Sequence, residues 1–196
     1  MTNTNENKQR FINLLKEVSE QRKGVDKLLT WLDGTDFFTA PASTRFHGAY
    51  EGGLVEHSLN VYDAFMKLFG EDGHNPASVT LCTLLHDICK SGFYKTEMRN
   101  RKNEQGQWEQ VPVYTVEDRF PMGHGEKSVW LIERFVRLTA EESIAIRWHM
   151  GGFDESVRGG SYALSAAYEE YPLAVKLNMA DMYASYILET RGTENQ

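Results

Sequence analysis

The chain has 196 residues, 41% of them hydrophobic and 12% aromatic, which is enough for the core of one domain and short for two. A formal charge of −7 argues against the basic face that holds long nucleic acid, yet leaves small anionic substrates open, because bound divalent cations reverse the sign of a local site. No apolar run approaches the roughly 20 residues that span a bilayer, and the start "MTNTNENKQR" lacks the apolar core of a secretory signal, so the expectation is a cytoplasmic protein with no membrane partner.

One continuous domain, residues 1–196, is expected, with its core at about 45–190 and polar tails at 1–7 and 191–196. Between Lys8 and Leu32 the apolar residues Phe11, Leu14, Leu15, Val18, Val25, Leu28, Leu29 and Leu32 keep a helical period broken near Gly24, predicting one or two helices. "LVEHSLNVYDAFMKLF", residues 54–69, predicts an amphipathic helix introduced by Gly52 and Gly53 and ended by Gly70. Asn75 as N-cap and Pro76 in the first turn start a further helix, expected to carry "LLHDICK" near its C-terminal end. Polar alternation around a glycine turn, from Phe93 to Asp118, predicts an exposed β-hairpin. Helices return at about 125–137, 139–148, 162–169 and 172–189. The expected fold is mainly α with a small hairpin insertion at about 93–118.

Cys82 and Cys89 stand seven apart in one expected helix, about 10 Å from each other if it is regular, which is too far for a disulfide. They read as buried reduced thiols, and neither sits in a nucleophile motif. His86 and Asp87 are adjacent at the end of an apolar run, where a charge is costly unless it is paired or binds a metal. Of the six histidines, His47, His57, His86, His124 and His149 fall in settings that make poor sense as scattered surface residues; His74 looks casually placed. Asp181 has Leu177, Ala184 and Ser185 at helical spacing, so its helix packs inward around a carboxylate.

Imidazoles and carboxylates together suit borderline and hard divalent ions. Two such ions about 3.5 to 4 Å apart can clamp a phosphoryl group and activate water, and a bridging carboxylate would explain why His86 and Asp87 are neighbours. One histidine on an apolar face is more often a hydrogen-bonded core residue; the ordered series shifts the balance. Lys90 is four residues beyond His86, on the same face if the helix continues, although a helix C-terminus favours a lysine in any case.

That series, His57, His86-Asp87, His124, His149 and Asp181, resembles the HD superfamily of metal-dependent phosphohydrolases, dinuclear type, over roughly residues 45–185. "GAYEGGLVEHSLNV" resembles the segment carrying the first histidine, "LLHDICK" the HDxxK signature, and "GHGEKS" and "RWHMGG" the two later histidine motifs. The resemblance implies a helical HD bundle and two divalent ions, with manganese, iron, magnesium, nickel and zinc all open as their identity. His57, His86 and Asp181 would hold the first ion, His124 and His149 the second, and Asp87 would bridge them. Lys90 would hold a substrate phosphate as a point charge, and Asp87 and Lys90 are the expected catalytic pair.

His47 resembles a histidine of the CMP-binding-factor type of exoribonuclease, with a substrate-side and a structural role equally open. Arg45, Tyr94, Lys95 and Arg147 are candidates to meet an anionic substrate, and Phe93 or Trp148 to stack on a base. "RNRK", residues 99–102, could touch a polynucleotide or simply keep a strand edge soluble. No nucleic-acid-binding domain precedes the motifs, as one does in the exoribonuclease relatives, which argues against a long RNA substrate. The implied reaction is hydrolysis of a phosphate ester in a nucleotide or short oligonucleotide by metal-activated water. A diiron oxygenase of HD fold and a non-catalytic nucleotide-binding module are the other readings. An amphipathic helix packs equally on its own domain or on a neighbour, so no oligomeric state is read.

Overall fold

The computed structural model describes residues 4–189; the expected C-terminal polar tail, 191–196, lies outside them. Helix α1 (Thr4–Glu17) begins inside the stretch expected as a polar tail and buries Phe11 and Leu15, one turn apart. Gly24, at φ +98°, separates it from α2 (Val25–Asp33). A side chain there would lie 1.9 Å from the Phe135 carbonyl oxygen, so the break between the two helices is also a close packing contact.

Helix α3 (Gly53–Phe69) is the central element, burying Leu54, Val55, His57, Leu59, Val61 and Phe65. Helix α4 (Pro76–Leu85) starts as expected, with the Asn75 side chain accepting hydrogen bonds from the Ala77 and Ser78 amides. Its end is a correction to the sequence reading. The α-helix stops at Leu85, His86 caps it, Asp87 leaves helical geometry at φ −103°, and a 3-10 turn covers Ile88–Lys90. Lys90 therefore stands three residues from the Asp87 it pairs with and does not share a regular helix face with His86. Cys82 and Cys89 are both free and buried.

Strands β1 (Tyr94–Lys102) and β2 (Trp108–Val116) form the antiparallel hairpin, in register from Tyr94 opposite Val116 to Lys102 opposite Trp108. Helix α5 (His124–Glu133) ends short of the expected residue 137, because the Glu133 side chain turns to accept from the Leu138 amide at 2.7 Å. Helix α6 (Ala140–Trp148) opens with a capping box between Thr139 and Glu142. Glu142 is fully buried and also accepts from Ser78 Oγ at 2.6 Å and from the Arg22 guanidinium, which ties α6 to α4 and to the α1–α2 connection.

A 3-10 turn at Gly151–Phe153 and a short helix, α7 (Glu155–Arg158), follow; neither was expected. Helix α8 (Ala163–Glu170) leads to α9 (Pro172–Tyr183), which passes into a π-helical segment, Ala184–Leu188, where one unbroken helix to 189 was expected. Helix α3 packs on α4 and α9, and α6 on α5, α4 and α9, around a core that includes Leu81, Leu84, Ile88, Ile146 and Leu177. Among the described residues no helix is long and apolar enough to cross a membrane.

Candidate metal centre

The six candidate ligands come from five places in the fold: His57 from α3, His86 and Asp87 from the end of α4, His124 from the start of α5, His149 from the end of α6, and Asp181 from α9. His57, His86, Asp87 and His149 are each no more than 2% exposed. Asp87 lies among them with its two oxygens facing different partners. Oδ1 is 2.7 Å from His124 Nε2 and 3.4 Å from His149 Nε2. Oδ2 is 3.5 Å from both His57 Nε2 and His86 Nε2, and 2.6 Å from Lys90 Nζ. Asp181 Oδ1 lies 3.3 Å from His57 Nε2, which is itself 3.2 Å from His86 Nε2.

The outer ring nitrogens explain why the Nε2 atoms point inward. His86 Nδ1 donates to the Thr83 carbonyl at 2.8 Å, and His149 Nδ1 to the Ile146 carbonyl at 2.6 Å. His57 Nδ1 lies 2.9 Å from Glu189 Oε1, and His124 Nδ1 3.3 Å from Cys89 Sγ. A carbonyl acceptor at Nδ1 fixes, at His86 and His149, the neutral tautomer that leaves the Nε2 lone pair free, the usual arrangement behind a metal-bound imidazole.

The donor set fits metal ions. Two ligands each about 2.1 Å from one ion, at right angles, lie about 3 Å from one another, close to the 3.2 Å between His57 and His86 and the 3.3 Å between His57 and Asp181. His57, His86 and Asp181 form one group able to hold an ion; His86, Asp87 and His149 form another, and Asp87, Cys89 and His124 a third. His149 Nε2 is buried without a hydrogen-bond partner, a cost a native interior avoids unless something completes the site.

A family model for the HD domain matches residues 54–181. The chain belongs to the HD domain family. No curated protein and no solved structure matches it. HD proteins are for the most part metal-dependent phosphohydrolases that bind divalent ions, and the matched span runs from the start of α3 to Asp181, enclosing all six candidate ligands of this HD domain.

Electrostatics follow the geometry. Burial and the neighbouring imidazoles outweigh Asp87 and push His86 down to about 3. Burial works against charge at His57, but Glu189 and Asp181 outweigh it and push His57 up to about 10. At His124 burial again opposes charge, and Cys89 and Asp87 carry it up to about 10. Although burial opposes their ionised forms too, Lys90 and the imidazoles hold the Asp87 carboxyl well below the carboxylate range, and Asp87 in turn raises Lys90.

The remaining candidates divide. Lys90 and His47 line a cleft of about 380 Å³ that opens on His57, Asp87 and Asp181. His47 is pushed down to about 4 by burial and by the charges of His57 and Lys90, so it meets that cleft as a neutral hydrogen-bonding ring. Lys95 is not brought to the cleft: it sits on β1, paired with Glu97 at 3.0 Å and Glu117 at 3.5 Å. Arg147 is paired with Glu126 at 2.5 Å and Asp154 at 2.7 Å, and covers the buried Trp148 ring, which leaves neither for a substrate. Arg45 lies against the ring of Phe46, which lines that cleft, and does not line it itself. Phe93 lines a second cleft, under the Lys127 ammonium. His74 accepts from Lys176 at 2.8 Å and lines a separate small cavity with Phe65 and Phe69.

Sequence reasoning missed Glu189. The π-helical segment ends on it, its side chain is 5% exposed, and it also accepts from Asn60 Nδ2 at 3.1 Å. Glu189→Gln keeps the shape and removes the charge that orients and polarises His57. If His57 is a ligand, affinity for an ion at the His57, His86 and Asp181 group should fall about 10- to 100-fold in a chelator-competition titration, and unchanged affinity would show Glu189 to be a passive neighbour.

Gly125 is a second position the sequence did not single out. A Cβ there would lie 2.2 Å from the Arg147 carbonyl oxygen, so the glycine lets α5 and α6 approach where they present His124 and His149. Gly125→Ala should cost about 1–3 kcal/mol in thermal unfolding and lower metal content. A variant with the parent Tm and full metal content would show that the contact is easily relieved.

Proposed function

We propose that the chain is a two-metal phosphohydrolase that cleaves a phosphate ester of a nucleotide or short oligonucleotide, in the cytoplasm and as a single HD domain. The observation that carries this reading is the division of Asp87: one oxygen faces His124 and His149, the other His57 and His86. His57, His86 and Asp181 would hold one ion, His124 and His149 the second, and Asp87 both. When bound, such ions supply a hydroxide at neutral pH and neutralise charge developing on phosphorus oxygens.

The chain's own residues do the rest. Lys90, 12% exposed at its side chain and 2.6 Å from Asp87, would exchange part of that pairing for a non-bridging phosphoryl oxygen and stabilise it as charge grows in the transition state. His47 would meet a substrate hydroxyl or ester oxygen as a neutral partner. The buried histidines and their Nδ1 partners keep the ligand set in place before substrate arrives, so little reorganisation is needed during the reaction.

The test is hydrolysis of a panel of nucleotide monoesters, cyclic and linear diesters and short RNA, with and without manganese. Metal-dependent release from one class supports the reading. Silence across the panel with metals shown to be bound would move it to oxygen chemistry on a diiron centre, tested by oxygen uptake, or to nucleotide binding without turnover.

A further inference from the structure

We infer that the substrate is a phosphodiester whose two organic arms occupy separate clefts, an inference that rests on the phosphohydrolase reading and narrows it. Two cavities open on the same centre. One, of about 380 Å³, reaches His57, Asp87, Lys90 and Asp181; the other, of about 520 Å³, reaches His124 and Cys89. Met150 and Phe153 line both, so the turn that follows His149 forms a ridge between them. A phosphorus atom held over Asp87 can direct one arm to each side of that ridge. A phosphomonoester has a single organic arm and would leave one cleft to water.

The two clefts differ in chemistry. The smaller is rimmed by Phe46, Phe153 and Tyr186, whose exposures are 51%, 54% and 53%. Three large exposed rings gathered at a catalytic cleft are the kind of apolar surface that a ligand covers, and every nucleobase has a face that stacks on such rings. Asn178 and Ser185 add hydrogen-bonding groups to the same wall. This cleft takes the base of a nucleoside arm.

The larger cleft sets the carboxylates of Asp118, Glu126, Asp154 and Glu155 against Lys127 and Arg158. Lys127 is already paired with Asp118 at 2.7 Å, and Arg147 stands behind Glu126 and Asp154. Most of its charged groups are thus already paired within the wall, which offers hydrogen-bonding groups to a neutral sugar-like arm. Water adds its oxygen to phosphorus, the P–O bond to one arm breaks, the bonding pair leaves with that arm's oxygen, and a proton from the water ends on it. The products are a phosphomonoester and an alcohol.

The experiment uses the full chain loaded with manganese and compares dinucleoside monophosphates, the methyl esters of the matching 5′-mononucleotides, and the mononucleotides themselves, covering the four bases. The dinucleoside phosphate should exceed the mononucleotide in kcat/KM by at least about tenfold, with the methyl ester between them, because the second arm contributes binding realised in the transition state. Phe46→Ala should lower kcat/KM for both diesters by at least about fivefold, and Arg158→Ala should shrink the advantage of the dinucleoside phosphate over the methyl ester. Mononucleotides cleaved as fast as diesters would overturn the inference and leave the phosphohydrolase reading intact. Cleavage of neither, with metals bound, would remove both.

Discussion

Asp87→Asn is expected to lower turnover by a factor on the order of 10⁴ and to abolish the pairing of two ions in one centre. The substitution keeps the volume of the side chain, so the loss would come from charge and donor pattern. Asp87 Oδ1 lies 2.7 Å from His124 Nε2 and 3.4 Å from His149 Nε2, and Oδ2 lies 3.5 Å from both His57 and His86. A neutral amide offers one acceptor where two are used, and turns an N–H toward either inward-facing imidazoles or the Lys90 ammonium. It also strips Lys90 of its 2.6 Å counter-ion; leaving a buried charge unpaired costs about 3–5 kcal/mol, so the single substitution also weakens the fold. Asp87→Asn combined with Lys90→Met removes that penalty, so the metal content of the folded double variant reports the ligand role of Asp87 apart from any loss of fold. Metal content, kcat and circular dichroism on both variants decide the matter. A folded variant retaining two ions and a kcat within about tenfold of the parent would reject the bridging role.

The helix starts and the HD family were legible in the sequence because they depend on local signals and on the order of motifs along the chain. Asn75 before Pro76 caps α4 as read, and Gly52 and Gly53 introduce α3. Polar alternation from Phe93 to Asp118 gives the hairpin, and the ordered histidines and aspartates lie within the HD match. What was not legible depends on partners distant in sequence. The end of α4 at Leu85 follows from where Asp87 must sit among side chains from α3, α5 and α6, and the α5 terminus from the reach of Glu133 to the Leu138 amide. Lys95 and Arg147 looked available because their carboxylate partners Glu117, Glu126 and Asp154 are brought to them by the hairpin and the α5–α6 packing. Glu189, 132 residues from His57, looked like one more acidic residue near a polar end. Its position eight residues beyond Asp181, on the same stripe of a helix, was the one signal in the sequence, and it needed a ligand assignment at Asp181 to become visible.

Metal affinity should rise steeply with pH across the neutral range, by about a hundredfold per unit for the pair of ions. In the metal-free protein His57 and His124 are pushed up to about 10 despite burial, His57 by Glu189 and Asp181, His124 by Cys89 and Asp87. At pH 7 both rings therefore carry a second proton, and an ion can take only the neutral ring. On the proposed two-ion assignment one proton would leave when His57 binds an ion and one when His124 does, while His86, held near 3, is already neutral and would release none. The sign is fixed: acid competes with metal, and affinity falls as pH drops from about 10 toward 6. The same two shifts act oppositely on the metal-free fold. A histidine whose folded pKa lies above the unfolded value of about 6.5 stabilises the fold fully below that value and loses the contribution as pH rises through 10. Metal-free protein should therefore lose stability on alkalinisation over the interval in which metal-loaded protein gains it. Calorimetric titration with manganese at pH 6.5 and 7.5, in two buffers of different ionisation enthalpy, reads the proton count directly. Release of about two protons per pair of ions is the expected result, and metal uptake with no proton release would show that His57 and His124 are not both ligands.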